Sequence, residues 1–212
     1  MKLLILILGA AAAYLIGGWN PAIMLSKAIY HKDIRTCGSG NPGFTNFKRT
    51  FGNKWAWWVF FLDLFKAAFI VALVSVLYHA FGGSFTFAAA LTGAFAMLGH
   101  AFPAWYGFKG GKGFLVYMSV IWFLDWRAGV IAAILLVVLL LTVKIMSLSS
   151  LSAVIASAAF IAIYAMFPVK DARSLSVILI CVGMALFVVI RHHENIKRLF
   201  RGEEKKFNIF GK

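Results

Sequence analysis

Long apolar stretches alternate with short polar ones along the whole chain. Apolar runs cover residues 3–29, 55–81, 85–106, 114–146, 149–167 and 174–190. About 20 mostly apolar residues carry a helix across a bilayer, so each run predicts at least one spanning helix. The run 114–146 is longer than one span needs, and Asp125-Trp126-Arg127 interrupts it. It predicts a short span, a tight turn and a second span. Seven spans result.

The start, Met1-Lys2 followed by apolar residues 3–13, has the outline of a signal peptide. The apolar character continues to Ile29 without a clear cleavage region, so the segment reads as a first span.

Lysine and arginine collect in cytoplasmic segments of membrane proteins. With seven spans the termini lie on opposite faces. The face of the C-terminus then holds sixteen of the 21 basic residues: six between 27 and 54, Lys109 and Lys112, Lys144, and seven beyond Ile190. The other face keeps Lys2, Arg127, Lys170 and Arg173, and Lys66 lies inside a span. Six spans would scatter these charges. The predicted fold is an all-α integral membrane protein of about seven transmembrane helices, with the N-terminus outside and the C-terminus cytoplasmic. It forms a single polytopic domain over 1–212, of which 190–212 is a basic cytoplasmic tail.

Composition agrees. Apolar residues make up 62% and charged ones only 13%, against about a quarter charged in soluble domains. The formal charge of +14 suits nucleic acid, anionic lipid or a phosphorylated substrate. Nucleic acid fits worst, because the basic residues sit between spans and form no continuous stripe. Cys37 in a polar loop and Cys181 in an apolar run make no disulfide framework.

Four polar segments carry candidate chemistry, and all fall on the predicted cytoplasmic face. Residues 35–49 contain Cys37-Gly38-Ser39-Gly40-Asn41-Pro42-Gly43 between Arg35 and Arg49. Glycine backbone there can cradle an anion in a nest, or simply form a turn. Residues 99–113 end in Lys109-Gly110-Gly111-Lys112-Gly113. This is no Walker A loop, since Gly113 stands where Ser or Thr is required, but two lysines before a helix favour phosphate. Ser147-Leu148-Ser149-Ser150 opens a span, where serines are good helix caps. His192 and Asn195, just past the last span, are three apart and would share a helix face. Adjacent His192 and His193 diverge on a helix and lack a Cys or carboxylate partner, which argues against zinc. Within the second long run, Asp63 and Lys66 stand i, i+3 and are expected to pair toward the bundle interior.

In order and identity these motifs resemble the bacterial glycerol-3-phosphate acyltransferases of the PlsY type, which use acyl phosphate. The likeness is carried by Gly38 to Gly43 with Thr45, Asn46 and Arg49, by Gly99-His100 and Phe102-Pro103, and by Gly107 to Gly113. It continues through the serine cluster and His192 with Asn195-Ile196, with counterparts for Asp63 and Lys66. It implies transfer of a fatty acyl group from acyl phosphate to the sn-1 hydroxyl of glycerol 3-phosphate at the bacterial plasma membrane. Lysophosphatidic acid and phosphate would result, as the first step of phospholipid synthesis. No cofactor and no metal is implied. None of the five histidines has Asp five positions later, as a His-x4-Asp acyltransferase would require.

By the same resemblance, Ser39, Asn41, His192 and Asn195 are expected to be catalytic. Gly38, Gly40, Thr45, Asn46, Arg49, His100, Lys109, Gly110, Gly111, Lys112, Ser149 and Ser150 are expected to bind substrate. Lys109, Lys112, Arg49 and Ser39 would hold phosphate oxygens, and Asn41 with loop amides would polarise the acyl carbonyl. His192 would either accept the hydroxyl proton or only bind phosphate. The chain departs from the family pattern at Phe44, at Phe114-Leu115-Val116 and at Ala67 after Lys66, changes that narrow the space near the site. A divergent relative with another phosphorylated acceptor, or a transporter or scramblase of phosphorylated lipid, would share the basic face.

Overall fold

A backbone in hydrocarbon must satisfy its own N–H and C=O groups, which leaves the helix as the economical solution. The computed structural model describes residues 1–167 and 173–209, and among these every regular element is helical. Lys170 and Lys212, both counted in the charge distribution above, lie outside the described residues. The first apolar run is broken into α1 (Lys2–Gly18) and α2 (Pro21–Tyr30). Pro21 brings no N–H and suits the first position of a helix, while the Asn20 side chain caps α2 by accepting from the Ile23 amide at 3.0 Å. The same Asn20 donates to the Pro42 carbonyl at 3.1 Å, tying this break to the first glycine-rich loop.

After that loop come the short amphipathic α3 (Phe44–Phe51) and the longest helix, α4 (Asn53–Ala80). The bundle continues with α5 (Phe85–Ala101), α6 (Phe114–Leu124), α7 (Trp126–Thr142) and α8 (Met146–Tyr164). It closes with α9 (Leu175–Arg191) and α10 (His193–Phe200), bent from each other by 60°. Four segments are individually long and apolar enough to cross a membrane: residues 2–30, α4, α5 extended to Tyr106, and α8. The bent pair α9–α10 qualifies together, and α6 and α7 are shorter apolar helices.

The predicted turn is present. α6 ends at Leu124, and Asp125 caps α7 by accepting from the Arg127 amide at 2.9 Å while pairing with its guanidinium at 2.8 Å. A full span before that turn is not met by α6 alone. Its 11 residues rise about 16 Å, roughly half the hydrocarbon thickness. Instead α6 is the central helix, packed against α4, α5, α7, α8 and α9. That position explains its nearly unbroken apolar sequence, since a helix covered on most sides needs no polar face.

Two glycines set the closest helix crossing. A Cβ on Gly17 would sit 2.2 Å from the Ala96 carbonyl oxygen, and one on Gly99 would sit 2.0 Å from that of Tyr14. Small residues at such crossings let backbones approach, as membrane helices require. The buried polar knot lies nearby. Lys66 Nζ meets Asp63 Oδ1 at 2.8 Å, donates to the Trp19 carbonyl at 2.6 Å and reaches His100 Nδ1 at 3.2 Å. The expected pair between Asp63 and Lys66 is therefore formed, and it also binds the end of α1 and the end of α5 to α4.

Two predictions follow from this packing. Gly99→Ala forces α1 and α5 apart and is expected to cost about 1–3 kcal/mol, read as a lower thermal midpoint of detergent-solubilised protein. Gly183→Ala, with nothing within 4 Å of the added Cβ, should not lower that midpoint. Asp63→Asn strands the Lys66 ammonium and should destabilise by about 3–5 kcal/mol, whereas the double change Asp63→Leu with Lys66→Met should recover most of the loss.

Candidate active site

The polar segments at 39–49, 100–113, 147–150 and 192–198 come together at one end of the bundle. They surround a cavity of ≈ 340 Å³. Ser39, Asn41, Thr45, Asn46 and Arg49 enter from the first loop and α3. His100 and Lys112 enter from the second loop's two ends, Ser147 and Ser150 from the start of α8, and His192 and Asn195 from the α9–α10 bend. The lining also has an apolar part: Phe44, Trp57, Phe60, Phe114, Leu136 and Leu140. It includes Val137, which is 52% exposed on the outer surface of α7. The cavity thus joins a charged pocket to the lipid-facing side of the bundle.

The first loop is built around Asn46. Its carboxamide accepts from the Ser39 amide at 2.9 Å and donates to the Cys37 carbonyl at 2.9 Å. Gly38, at φ +57°, lies so close that a Cβ would sit 2.3 Å from Asn46 Oδ1, which requires glycine for both conformation and space. Three of the loop's amides are already engaged within the protein. The Ser39 amide is used by Asn46, the Gly40 amide by the Cys37 carbonyl and the Gly43 amide by the Asn41 carbonyl. The loop also offers the cavity the side chains of Ser39, Asn41, Thr45 and Asn46. Arg35 is also spent, pairing with Asp33 at 2.8 Å and donating to the Tyr106 carbonyl at 2.6 Å.

The second loop behaves similarly. The Gly110 and Gly111 amides donate to the Ala101 and His100 carbonyls at 3.1 and 3.0 Å. A Cβ on Gly111 would meet His100 Nε2 at 2.2 Å, so this glycine makes room for the imidazole. Lys109 lies with Gly40 and Gly110 in a separate cleft beside Asp33 and Arg35, and does not line the main cavity. Lys112 does, and its ammonium donates to Asn195 Oδ1. Burial pushes Lys112 down to about 8; the nearby Arg198, Arg191 and Arg49 add to the shift, and Glu204 opposes it.

The serines cap nothing. The Ser149 hydroxyl donates to the Ile145 carbonyl at 2.8 Å, within its own helix and away from the cavity. Ser147, one turn from Ser150 and on the same face, reaches the site and donates to Glu204 at 3.0 Å. The i, i+3 rule would have singled out Ser147 over Ser149. That rule also extends the His192–Asn195 face to Arg198, which lines the cavity.

His192 sits one residue beyond α9, where the chain bends. Its Nδ1 lies 2.7 Å from the Val188 carbonyl. A carbonyl only accepts, so Nδ1 carries the proton and Nε2 keeps the lone pair. Burial pushes His192 down to about 4, helped by Lys112, so the ring is neutral at physiological pH.

Sequence reasoning missed the tail. Glu204, Phe207 and Ile209 line the cavity. No local motif marks them; they matter because the chain turns back after α10. Glu204 accepts from Ser147, from Asn195 Nδ2 at 2.8 Å and from Arg198 Nε at 2.6 Å. Buried Phe207 packs its ring 5.8 Å from that of Phe44. Phe44, the departure noted in the sequence, also faces Trp57 and Phe60 at 5.2 and 5.3 Å.

Comparison with known proteins bears on these features. The glycerol-3-phosphate acyltransferase family matches residues 7–202. The glycerol-3-phosphate acyltransferase of Bartonella henselae is 37% identical over 194 residues, covering 92% of this chain and 88% of the relative. Two crystal structures of PlsY, an integral membrane glycerol 3-phosphate acyltransferase, are similar throughout. The glycerol 3-phosphate form superposes with a TM-score of 0.82 at 28% identity, covering 98% of this chain and 96% of the other. The lysophosphatidic acid form gives 0.78 at 27% identity, with 97% of each chain covered. With a family match over nearly its whole length and a fold shared with PlsY, this chain belongs to the glycerol-3-phosphate acyltransferase family of integral membrane enzymes.

Proposed function

We propose that the enzyme takes its acyl group from acyl phosphate and transfers it to the sn-1 hydroxyl of glycerol 3-phosphate at the cytoplasmic face of a bacterial plasma membrane. The observation that carries this reading is the two-sided cavity, cationic at Lys112, Arg49 and Arg198 and apolar along α4 and α7. A lipid-soluble chain with a phosphorylated head fits both sides at once, and the glycerol 3-phosphate and lysophosphatidic acid forms of PlsY fit an acceptor and product of this chemistry. The asymmetric basic residues support placing this end of the bundle in the cytoplasm.

An acyl phosphate is already activated, so the protein's contribution is orientation and charge stabilisation. Lys112 and Arg49 hold phosphate oxygens, and Ser39 and Asn41 stand beside them at the same cavity. The acceptor hydroxyl attacks the acyl carbonyl carbon and its proton passes to His192 Nε2. The carbon–oxygen bond to phosphate then breaks, and inorganic phosphate leaves with the bonding electron pair.

Purified protein given acyl phosphate and glycerol 3-phosphate should release phosphate and lysophosphatidic acid in equal amounts. A transporter would move lipid without releasing phosphate, and that outcome sinks the reading. His192→Ala should lower kcat by roughly 10²–10⁴-fold if the ring takes the proton; full turnover would exclude that role. The pH profile has a defined sign. Lys112, held down to about 8, is charged below that pH and loses phosphate affinity above it, so kcat/KM for glycerol 3-phosphate should fall above pH 8. His192 stays neutral down to about 4, so the rate should hold below neutrality until the acceptor phosphate itself protonates, near about pH 6. Lys112→Arg should move the basic limb upward, because guanidinium keeps its charge.

A further inference from the structure

The segment 203–209 lines the cavity through Glu204, Phe207 and Ile209 and is fastened on both sides. The Phe207 amide donates to the Lys144 carbonyl at 2.6 Å, and Arg49 donates to the Lys205 carbonyl at 2.9 Å. Lys48 Nζ donates to the Ile209 carbonyl at 2.6 Å, and the Phe207 ring is buried against Phe44. These anchors hold the Glu204 side chain, only 4% exposed, inside the basic cluster.

The contacts there have a logical order. A carboxylate only accepts hydrogen bonds and an ammonium only donates them. Asn195 stands between one of each, with Nδ2 on Glu204 Oε1 and Oδ1 on Lys112 Nζ. Glu204 and Lys112 together therefore fix which way the Asn195 amide faces, Glu204 from the tail side. If the amide were reversed, both of its ends would meet groups of like role. Ser147 and Arg198 complete the shell of the carboxylate, so that it is fully satisfied in place.

We infer that Glu204 is a positioning residue for the phosphate-binding lysine: through the Asn195 amide it aims the Lys112 ammonium into the cavity, and the C-terminal segment is thereby part of the active site. The naming of glycerol 3-phosphate as the ligand rests on the proposed function; the link from Glu204 to Lys112 does not. The groups facing Lys112 are Glu204 from the tail, Arg198 from α10, Arg191 and His192 from the end of α9, and Arg49 from α3, with His100 and Asp63 in the same cavity wall. Among the tail, α3, α9 and α10 neighbours Glu204 is the one anion, and it holds the Lys112 proton on. The hydrogen bonds from Arg198, Asn195 and Ser147 outweigh the upward push of burial on its own carboxyl, which stays ionised.

The test uses full-length protein in detergent and two readouts. Acetic anhydride labelling of Lys112 against pH, read by mass spectrometry, gives its titration midpoint without any catalysis. KM for glycerol 3-phosphate gives the consequence for binding. In Glu204→Gln, which keeps the shape but can donate as well as accept, the midpoint should move to lower pH and KM should rise roughly tenfold. The basic limb of the pH profile should move with the midpoint, a change that loss of folding alone would not produce. Asn195→Leu cuts the link from the other side and should also lower the midpoint, and adding Glu204→Gln to it should raise KM no further. It also serves if Glu204→Gln does not fold. An unchanged Lys112 midpoint in these variants overturns the inference. So does a fall in KM for Glu204→Gln, which would mean that Glu204 competes with substrate for Ser147 and Arg198. If the native protein makes no lysophosphatidic acid while the midpoint still moves, the proposed function fails and the positioning role stands.

Discussion

The cost of leaving a polar group unsatisfied in hydrocarbon governs this molecule. It makes every described regular element a helix and drives nearly all ionisable side chains out of the bundle's middle. Among the described residues Asp63 and Lys66 are charged groups held inside it, and they meet the same constraint by pairing with each other, with His100 and with the Trp19 carbonyl. That knot joins three helices near the cavity, and His100 and Asp63 form part of its wall. The interaction that allows charge inside the bundle therefore also fixes one side of the site.

The same constraint shapes the loops. Glycines that look suited to cradling phosphate have their amides spent inside the protein, on Cys37, Asn41, Ala101 and His100 oxygens. Their function is to allow close approach: Gly38 to Asn46, and Gly111 to the His100 ring. The loops then present Ser39, Asn41, Arg49 and Lys112 toward the cavity. A cavity built in this way offers charged side chains at a fixed geometry.

Neighbouring cations make that geometry costly to hold. Burial makes the Lys112 charge costly, and Arg49, Arg191 and Arg198 repel it further, adding to the cost. Glu204 offsets part of it from the one direction where a carboxylate can reach Ser147, Asn195 and Arg198 together. The tail that carries it is locked by Phe207 in the aromatic cluster with Phe44, so the bulk at position 44 finds its counterpart in this chain's own C-terminal segment.

The sequence by itself determined the class of fold, the turn at Asp125, the Asp63–Lys66 pair and the polar segments that meet. These follow from local quantities: length of apolar run, residue type and i, i+3 spacing. It also pointed to Lys112, Arg49, His192 and Asn195, because the motifs that hold them are compact. Only the tertiary structure decided that α6 is a short central helix, that Ser147 and not Ser149 faces the cavity, and that Lys109 and Arg35 belong to another cleft. Glu204 and Phe207 were illegible for the same reason. Their roles arise from a chain reversal after α10 that brings residues far apart in sequence into contact, and no periodicity records where a tail will land.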